Sequence, residues 1–299
     1  MNLIRLLVSL GLLALVIWFV APEEIWHALR ELQPIWLCIA SLFLAAQIGL
    51  SALRWQVTAQ ALGHPLPRSW ALREYGLSVA VNTFLPGGVM GDLARITRAR
   101  HLGWQVATAS VVIERLAGQV ALGVLAVGAV AFWLGGGQGI GLVIGGMIAL
   151  LVMLRFLPAP RAYLARAWLA PRLWRWQAVL TLLILSVNLA GYWAAARAIG
   201  LVLPPQAALT LIPLTLLAML IPVTINGWGL REGVAAALWP LWGVATGQAV
   251  GASLAFGLAC MIAGLAGLLT WLLPRGETLS VVNEEHNDRS SDLGPDISQ

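Results

Sequence analysis

Long apolar runs separated by short polar segments occupy most of this chain. A helix needs about 20 residues to cross a hydrocarbon core of about 30 Å, and the runs are close to that length or longer. They predict membrane-spanning helices over residues 1–21, 34–53, 105–134, 140–157, 178–199 and 248–273. We therefore expect an all-α polytopic integral membrane protein with about six full spans.

Two further apolar segments are too interrupted to be simple spans. Residues 70–85 contain Glu74 and end at a Pro-Gly-Gly sequence, and residues 207–243 are broken by a Pro- and Gly-rich block near Asn226. Non-helical backbone is tolerated at membrane depth only where protein or water satisfies its polar groups. The segments predict re-entrant or broken helices, giving about eight membrane segments, and their similar residue types suggest an inverted repeat.

The composition leaves no segment for a large soluble domain, because 60% of the 299 residues are hydrophobic and 10% are charged. Residues 1–274 are predicted to form one transmembrane domain, and the acidic, polar residues 275–299 a disordered tail. Arginine-rich segments lie between the apolar runs, over residues 54–73, 95–100 and 155–175. The positive-inside rule places these segments and both termini in the cytoplasm, which predicts a multi-pass protein of the bacterial inner membrane.

The first block of candidate chemistry follows residues 70–85. Asp92 and Arg95 are three residues apart on a predicted helix that begins after Gly87 and Gly88, so their side chains share a face and can pair. Free amides at that helix start, together with Arg95, form a candidate site for a phosphate-sized anion, and Asn82 lies just upstream. The alternative is a structural interfacial turn whose arginines only determine topology.

Glu114 and Arg115 form a charged pair inside the predicted span 105–134. Neighbouring residues do not share a helix face, so each side chain needs a partner elsewhere, which Asp92 or Arg231 could supply. The alternative is that both lie near the cytoplasmic interface and extend to water.

The second block contains Asn226, Gly227, Trp228, Arg231 and Glu232, and apolar sequence flanks it on both sides. Broken membrane helices use such exposed backbone to coordinate substrates, and charged residues at membrane depth are functional candidates. We expect the two blocks to form halves of one substrate-binding site. A purely structural role for the second block is the alternative.

Several kinds of chemistry lack a signature in this sequence. There is no nucleotide-binding Gly/Lys pattern, the four histidines are scattered, and the two cysteines lie within apolar runs. We therefore expect no cofactor, no metal and no catalytic residue, which argues against an enzyme. Nucleic acid is not an expected partner, because the arginines lie in short loops between apolar runs.

Three motifs resemble those of the flippase-like transmembrane family typified by the membrane domain of lysylphosphatidylglycerol synthase. They are Asn82-Thr-Phe-Leu-Pro86-Gly87-Gly88 leading to Gly91-Asp92-x-x-Arg95, then Glu114-Arg115-Leu-Ala-Gly118, then Pro222-x-x-x-Asn226-Gly227-x-Gly229-x-Arg231-Glu232-Gly233. The resemblance covers the chain to about residue 273 and implies a role in moving a lipid or lipid-linked group between leaflets. In the bifunctional synthases a soluble aminoacyl-transfer domain follows, whereas only a short tail follows here. We therefore do not expect this chain to make lysyl-lipid itself.

The leading hypothesis is an inner-membrane translocase for an anionic phospholipid or a lipid-linked phosphate. Arg95 and Arg231 would hold the headgroup while Asp92, Glu114 and Glu232 balance their charge. The alternatives are an integral-membrane enzyme acting on a lipid phosphate and a non-catalytic partner of a lipid-modifying enzyme. Expected partners are membrane lipids, with a second copy of the chain or a lipid-modifying enzyme as further candidates.

Overall fold

A computed structural model describes residues 30–84, 89–100, 103–155, 161–169, 173–220, 224 and 226–272, together with single residues nearer the N-terminus. Within these residues the regular structure is helical and contains no strand, so the predicted all-α class is confirmed. Three predicted features lie outside the described residues: the course of the first span, the backbone of residues 85–88 and the tail at 275–299.

Four helices are long and apolar enough to cross a membrane. They are α1 (Pro34–Ala61), α4 (Trp104–Leu134), α7 (Trp174–Ala198) and α10 (Thr246–Leu269), the last continued by a 3-10 turn over Thr270–Leu272. They correspond to the predicted spans 34–53, 105–134, 178–199 and 248–273. The full number of spans stays a prediction.

The remaining described helices are α2 (Arg68–Phe84), α3 (Met90–Arg98), α5 (Gly136–Arg155), α6 (Arg161–Leu169), α8 (Pro205–Leu217) and α9 (Leu230–Leu238). Short 3-10 turns extend α8 over Ala218–Leu220 and α9 over Trp239–Trp242. The loop predicted after residue 157 contains α6, a helix that the sequence analysis did not anticipate. α5 begins at Gly136, two residues after α4 ends.

The helix-breaking block between α8 and α9 has an unusual backbone. Asn226 has a φ of 47°, and Gly227 and Gly229 have φ values of 79° and 87°. Glycine adopts this left-handed region without steric cost, and Asn tolerates it better than most residues. These residues therefore turn the chain into the start of α9.

The interior is built around the contact of α1 with α7, the most extensive between two helices. Helix α2 packs against α3, and α8 packs against α9. In addition, α2 packs on α10, and α8 packs on α4. Small residues permit the approach of α2 to α10, since a Cβ on Gly267 would lie 2.8 Å from the carbonyl oxygen of Gly76.

Candidate functional site

The start of α3 is fixed to α2 by the side chain of Asn82. Its Oδ1 accepts a hydrogen bond from the backbone N–H of Gly91 at 2.8 Å, and its Nδ2 donates to Asp92 Oδ2 at 3.1 Å. Gly91 has no space for a Cβ, which would overlap the backbone of Ser78. Because Asn82 already occupies the Gly91 amide, that amide is not available for the anion contact predicted at this helix start.

Five charged side chains from α1, α3 and α4 meet in one group, which we call the arginine cluster: Arg54, Asp92, Arg95, Glu114 and Arg115. Arg54 Nη2 lies 2.7 Å from Glu114 Oε1, and Arg95 Nη2 lies 3.0 Å from Asp92 Oδ1 and 3.4 Å from Glu114 Oε2. Arg115 pairs with Asp92. Among the described residues, three guanidinium groups thus meet two carboxylates in this cluster.

The pairing predicted between Asp92 and Arg95 is present, and so is the predicted partnership of Arg115 with Asp92. Glu114 does not extend to water, because its side chain is only 1% exposed. Its partners include Arg54, a residue that the sequence analysis placed in a cytoplasmic loop. Arg54 is instead buried within α1.

Arg95 is enclosed by aromatic rings as well as by carboxylates. Its guanidinium carbon lies 4.5 Å from the ring centroids of both Trp55 and Tyr75, and the side chain is 1% exposed. Such contacts stabilise a desolvated cation by about 2 kcal/mol. The aromatic pair and two acids therefore hold Arg95 in the interior.

Arg231 and Glu232 form a second, fully buried pair at the start of α9. Glu232 Oε1 accepts from Arg231 Nη2 at 2.7 Å and from Arg231 Nε at 3.1 Å, while its Oε2 accepts from the Gly229 N–H at 2.7 Å. Ser253 on α10 bonds to both side chains. Of the two candidate partners for the charged pair at Glu114 and Arg115, Asp92 pairs with Arg115, whereas the Arg231 guanidinium bonds to its own neighbour Glu232.

Aromatic residues also cover the second pair. The Arg231 guanidinium carbon lies 5.4 Å from the Trp228 ring centroid and 5.3 Å from that of Phe256. The facing residue of α10 is Gly257, where a Cβ would lie 2.6 Å from Arg231 Nη2 and 2.8 Å from the Trp228 ring. Because Gly257 has no side chain, the Arg231 guanidinium and the Trp228 ring can both lie close to α10 at this position.

Two adjoining cavities lie between the arginine cluster and the block at Asn226. The charged cavity, of about 320 Å³, has Arg54, Glu114, Arg115 and Gly118 in its wall. The polar cavity, of about 190 Å³, is bounded by Asn226 and residues of α1, α2, α7 and α10. The two share six lining residues: Gln47, Ser51, Tyr75, Asn188, Leu216 and Met219.

The sequence-predicted site residues divide into two groups around these cavities. Glu114, Arg115 and Asn226 line them. The others that the structure describes do not appear in the lining of either cavity: Asn82, Asp92, Arg95, Gly227, Trp228, Arg231 and Glu232. Gly87 and Gly88 lie outside the described residues. Among the described residues no ion pair joins the two blocks. The two adjoining cavities lie between the blocks.

Sequence reasoning missed the contribution of α1 to these cavities. Gln47, Ser51 and Arg54 are spaced i, i+4, i+7, so they lie on one face of α1, and all three line the charged cavity. Polar residues at this spacing inside an apolar run were the available signal. Among the described residues no group of three or more His, Cys, Asp or Glu side chains could hold a metal ion.

No curated protein sequence matches this chain. The family model described as the lysylphosphatidylglycerol synthase TM region matches residues 2–267, which include both blocks, the arginine cluster and the helices that line the cavities. This match covers most of the chain, and the chain belongs to the lysylphosphatidylglycerol synthase TM region family.

Proposed function

We propose that this chain is an inner-membrane translocase for an anionic phospholipid or a lipid-linked phosphate. The observation that carries the proposal is that two arginines of the arginine cluster, Arg54 and Arg115, line a cavity inside the helix bundle. Charged side chains at membrane depth are functional candidates, and guanidinium groups that line a cavity can bind the phosphate of an anionic headgroup. Membership of the family supports a function related to membrane lipids.

Arg54 and Arg115 are the cations that face the cavity. Arg54 keeps a buried Nε without a hydrogen-bond partner, although its other nitrogens bond to Glu114 and Thr181. Arginine binds phosphate through charge-assisted hydrogen bonds, which are about twice as strong as neutral ones. In this proposal Arg54 and Arg115 contact the phosphate, whereas Arg95 and Arg231 act from behind the lining by positioning their neighbours.

The helix order supports a transporter with two related halves. In each half a long helix is followed by a pair of short helices and then by a second long helix: α1, α2–α3, α4 and α7, α8–α9, α10. The contact of α2 with α10 has its counterpart in the contact of α8 with α4. Inverted repeats of this kind place the substrate between broken helices and permit alternating access from the two sides.

The test uses two arginines that differ in position but resemble each other in exposure. The Arg115 side chain is 37% exposed and pairs with Asp92, and the Arg98 side chain is 38% exposed and pairs with Glu74. Only Arg115 lines the charged cavity. Arg115→Gln leaves Asp92 paired with Arg95, so the fold should be retained.

Full-length protein is reconstituted into liposomes containing acyl-labelled fluorescent phosphatidylglycerol, and transfer is followed with a membrane-impermeant quencher, with and without a pH gradient. We expect protein-dependent transfer that falls about tenfold in Arg115→Gln, the effect of losing one charge-assisted hydrogen bond, and is retained in Arg98→Gln. Absence of transfer by the wild type under both conditions, or equal loss in both variants, would overturn the proposal. Headgroup turnover by purified protein in detergent would instead indicate the alternative enzyme.

A further inference from the structure

Uncharged hydrogen-bonding groups lie among apolar residues in the wall of the polar cavity. Gln47, Asn188 and Asn226 contribute amides, and Ser51 and Tyr75 contribute hydroxyls. Among the described residues that line it, none carries a carboxylate or a guanidinium group. The polar cavity therefore differs in chemistry from the charged cavity beside it, although the two share four of these five residues.

Two of the amides have buried atoms without a hydrogen-bond partner: Asn188 Oδ1 is an unpartnered acceptor, and Asn226 Nδ2 is an unpartnered donor. Buried polar atoms are nearly always paired, so two unpartnered atoms in the wall of one cavity can be satisfied by a group that occupies the cavity. Asn226 also holds a left-handed backbone conformation, with a φ of 47°. Strain of this kind persists where the surrounding structure fixes it, and it is concentrated at functional sites.

The carboxylates of the site do not suit a cationic headgroup. Glu114 is the one carboxylate among the described residues that line the two cavities, and it already bonds to Arg54 and Arg95. An ammonium group entering the charged cavity would meet Arg54 and Arg115 without an unpaired acid. Like charges in a desolvated site repel strongly, so an aminoacylated headgroup would be rejected.

We infer that the substrate is a lipid phosphate whose headgroup carries neutral hydroxyl groups, as glycerol and sugars do. This inference rests on the proposed function. The phosphate lies in the charged cavity against Arg54 and Arg115, and the hydroxyl groups lie in the polar cavity. A hydroxyl both donates and accepts, so it can donate to Asn188 Oδ1 and accept from Asn226 Nδ2.

The test measures binding of defined lipids to the purified full-length protein by native mass spectrometry. Phosphatidic acid has the phosphate without a headgroup alcohol, phosphatidylglycerol adds hydroxyls, and phosphatidylinositol adds a ring of hydroxyls. Lysylphosphatidylglycerol adds a cationic group to phosphatidylglycerol. We expect wild-type protein to prefer at least one of the two neutral hydroxylated lipids over phosphatidic acid by about tenfold and to bind lysylphosphatidylglycerol more weakly than phosphatidylglycerol.

Three variants test the assigned groups. Asn188→Ala and Asn226→Gly remove the unpartnered amides, the second without losing access to the left-handed backbone, and Gln47→Ala probes the α1 side of the same cavity. Asn226 lines the polar cavity but not the charged one, so Asn226→Gly should reduce the preference for hydroxylated lipids about fivefold while binding of phosphatidic acid is unchanged. Asn188 and Gln47 line both cavities, so Asn188→Ala and Gln47→Ala should weaken binding of hydroxylated lipids more than binding of phosphatidic acid. Ser41→Ala is the control, because the Ser41 hydroxyl bonds within α1 and lines neither cavity.

Equal wild-type binding of phosphatidic acid and both hydroxylated lipids, or equal weakening of all lipids by the three variants, would overturn the inference. The proposed function is tested separately by Arg115→Gln, which should weaken binding of phosphatidic acid and phosphatidylglycerol alike. If Arg115→Gln leaves both unchanged, the phosphate site itself is wrong. If it weakens both but the hydroxyl preference is absent, the phosphate site stands and the substrate class is wrong.

Discussion

Arg54 donates a hydrogen bond to Glu114 over 2.7 Å, and this contact joins α1 to α4 at the wall of the charged cavity. The two residues are not equivalent within the arginine cluster. Glu114 also accepts from Arg95, whereas Arg54 donates to Glu114 and Thr181. Glu114 therefore pairs with two of the three arginines, as Asp92 does, whereas Arg54 pairs with one acid.

This asymmetry predicts which neutralising substitution is worse. Glu114→Gln leaves three arginines against Asp92 alone, and removing one partner of a buried ion pair costs about 3–5 kcal/mol. Arg54→Gln leaves two arginines against two acids, and Glu114 keeps Arg95. We expect Glu114→Gln to lower the thermal unfolding temperature in detergent by several degrees more than Arg54→Gln does.

Both variants are measured in the same detergent and at the same protein concentration and lipid content. The Glu114→Gln variant has the larger positive charge, so a bound anion would stabilise it more than Arg54→Gln. A lower unfolding temperature for Arg54→Gln than for Glu114→Gln would contradict the charge accounting. Arg98→Gln provides the reference for losing a partly exposed arginine.

The position of Arg54 also shows where sequence reasoning reached its limit. An apolar run predicts a span that ends at residue 53, but α1 continues to Ala61 with Trp55 and Thr58 buried. A span predicted from consecutive apolar residues ends at the first charged residue. The apolar pattern carries no information that Glu114, 60 residues away in sequence, neutralises that charge. Long-range pairing is decided by helix packing, which periodicity does not contain.

Other features were predictable because their cause is local. The predicted span 105–134 agrees closely with Trp104–Leu134, since apolar length alone defines it. The contact between Asp92 and Arg95 followed from their spacing on a helix. The pairing of Arg231 with Glu232 was not predictable in the same way. Neighbouring residues can pair only when one side chain folds back along the start of the helix.

Tyr75 offers a second prediction, because its ring and its hydroxyl can be separated. The ring covers the Arg95 guanidinium, and the hydroxyl donates to Glu114 Oε1 at 3.3 Å. Tyr75→Phe keeps the ring and should cost about 1 kcal/mol or less. Tyr75→Leu removes the ring and should cost about 2 kcal/mol more, the contribution of a desolvated cation–π contact.

Denaturant or thermal unfolding of the two Tyr75 variants and the wild type measures this difference. The ring is the important group if the phenylalanine variant resembles the wild type. Equal destabilisation by phenylalanine and leucine would show that the hydroxyl, and not the aromatic face, supports the cluster.

The pair of Arg231 and Glu232 permits a double-mutant cycle. Arg231→Met leaves a buried carboxylate, and Glu232→Gln leaves a buried guanidinium, so each single change should cost about 3–5 kcal/mol. The double variant removes both charges together. We expect its cost to be at least about 1 kcal/mol smaller than the sum of the two single costs.

The cycle needs a control for the hydrogen bonds around the pair. Ser253→Ala removes the hydroxyl that bonds to both residues without changing the charge, and it should cost about 1 kcal/mol. If the cost of the double variant equals the sum of the two single costs, Arg231 and Glu232 are stabilised separately by their surroundings rather than by each other.

Gly91 lies in the first block, and the structure gives it a steric role that a matched glycine lacks. A Cβ at Gly91 would overlap the carbonyl oxygen and Cα of Ser78, so α3 could not remain at its position on α2. A Cβ at Gly128, in the middle of α4, would have no heavy atom within 4 Å. Gly91→Ala should therefore destabilise the protein by about 2 kcal/mol or more, as overpacking against a rigid backbone does.

Gly128→Ala should leave stability unchanged or raise it by up to about 1 kcal/mol, because alanine restricts the unfolded chain and favours the helix. Unfolding temperatures of the two variants, measured with lipid transfer in the same preparations, test the argument. Displacement of α3 also moves Asp92 and Arg95, so transfer should fall in Gly91→Ala even where the protein remains folded. A Gly91→Ala protein with wild-type stability and transfer would show that α2 and α3 do not need this close contact.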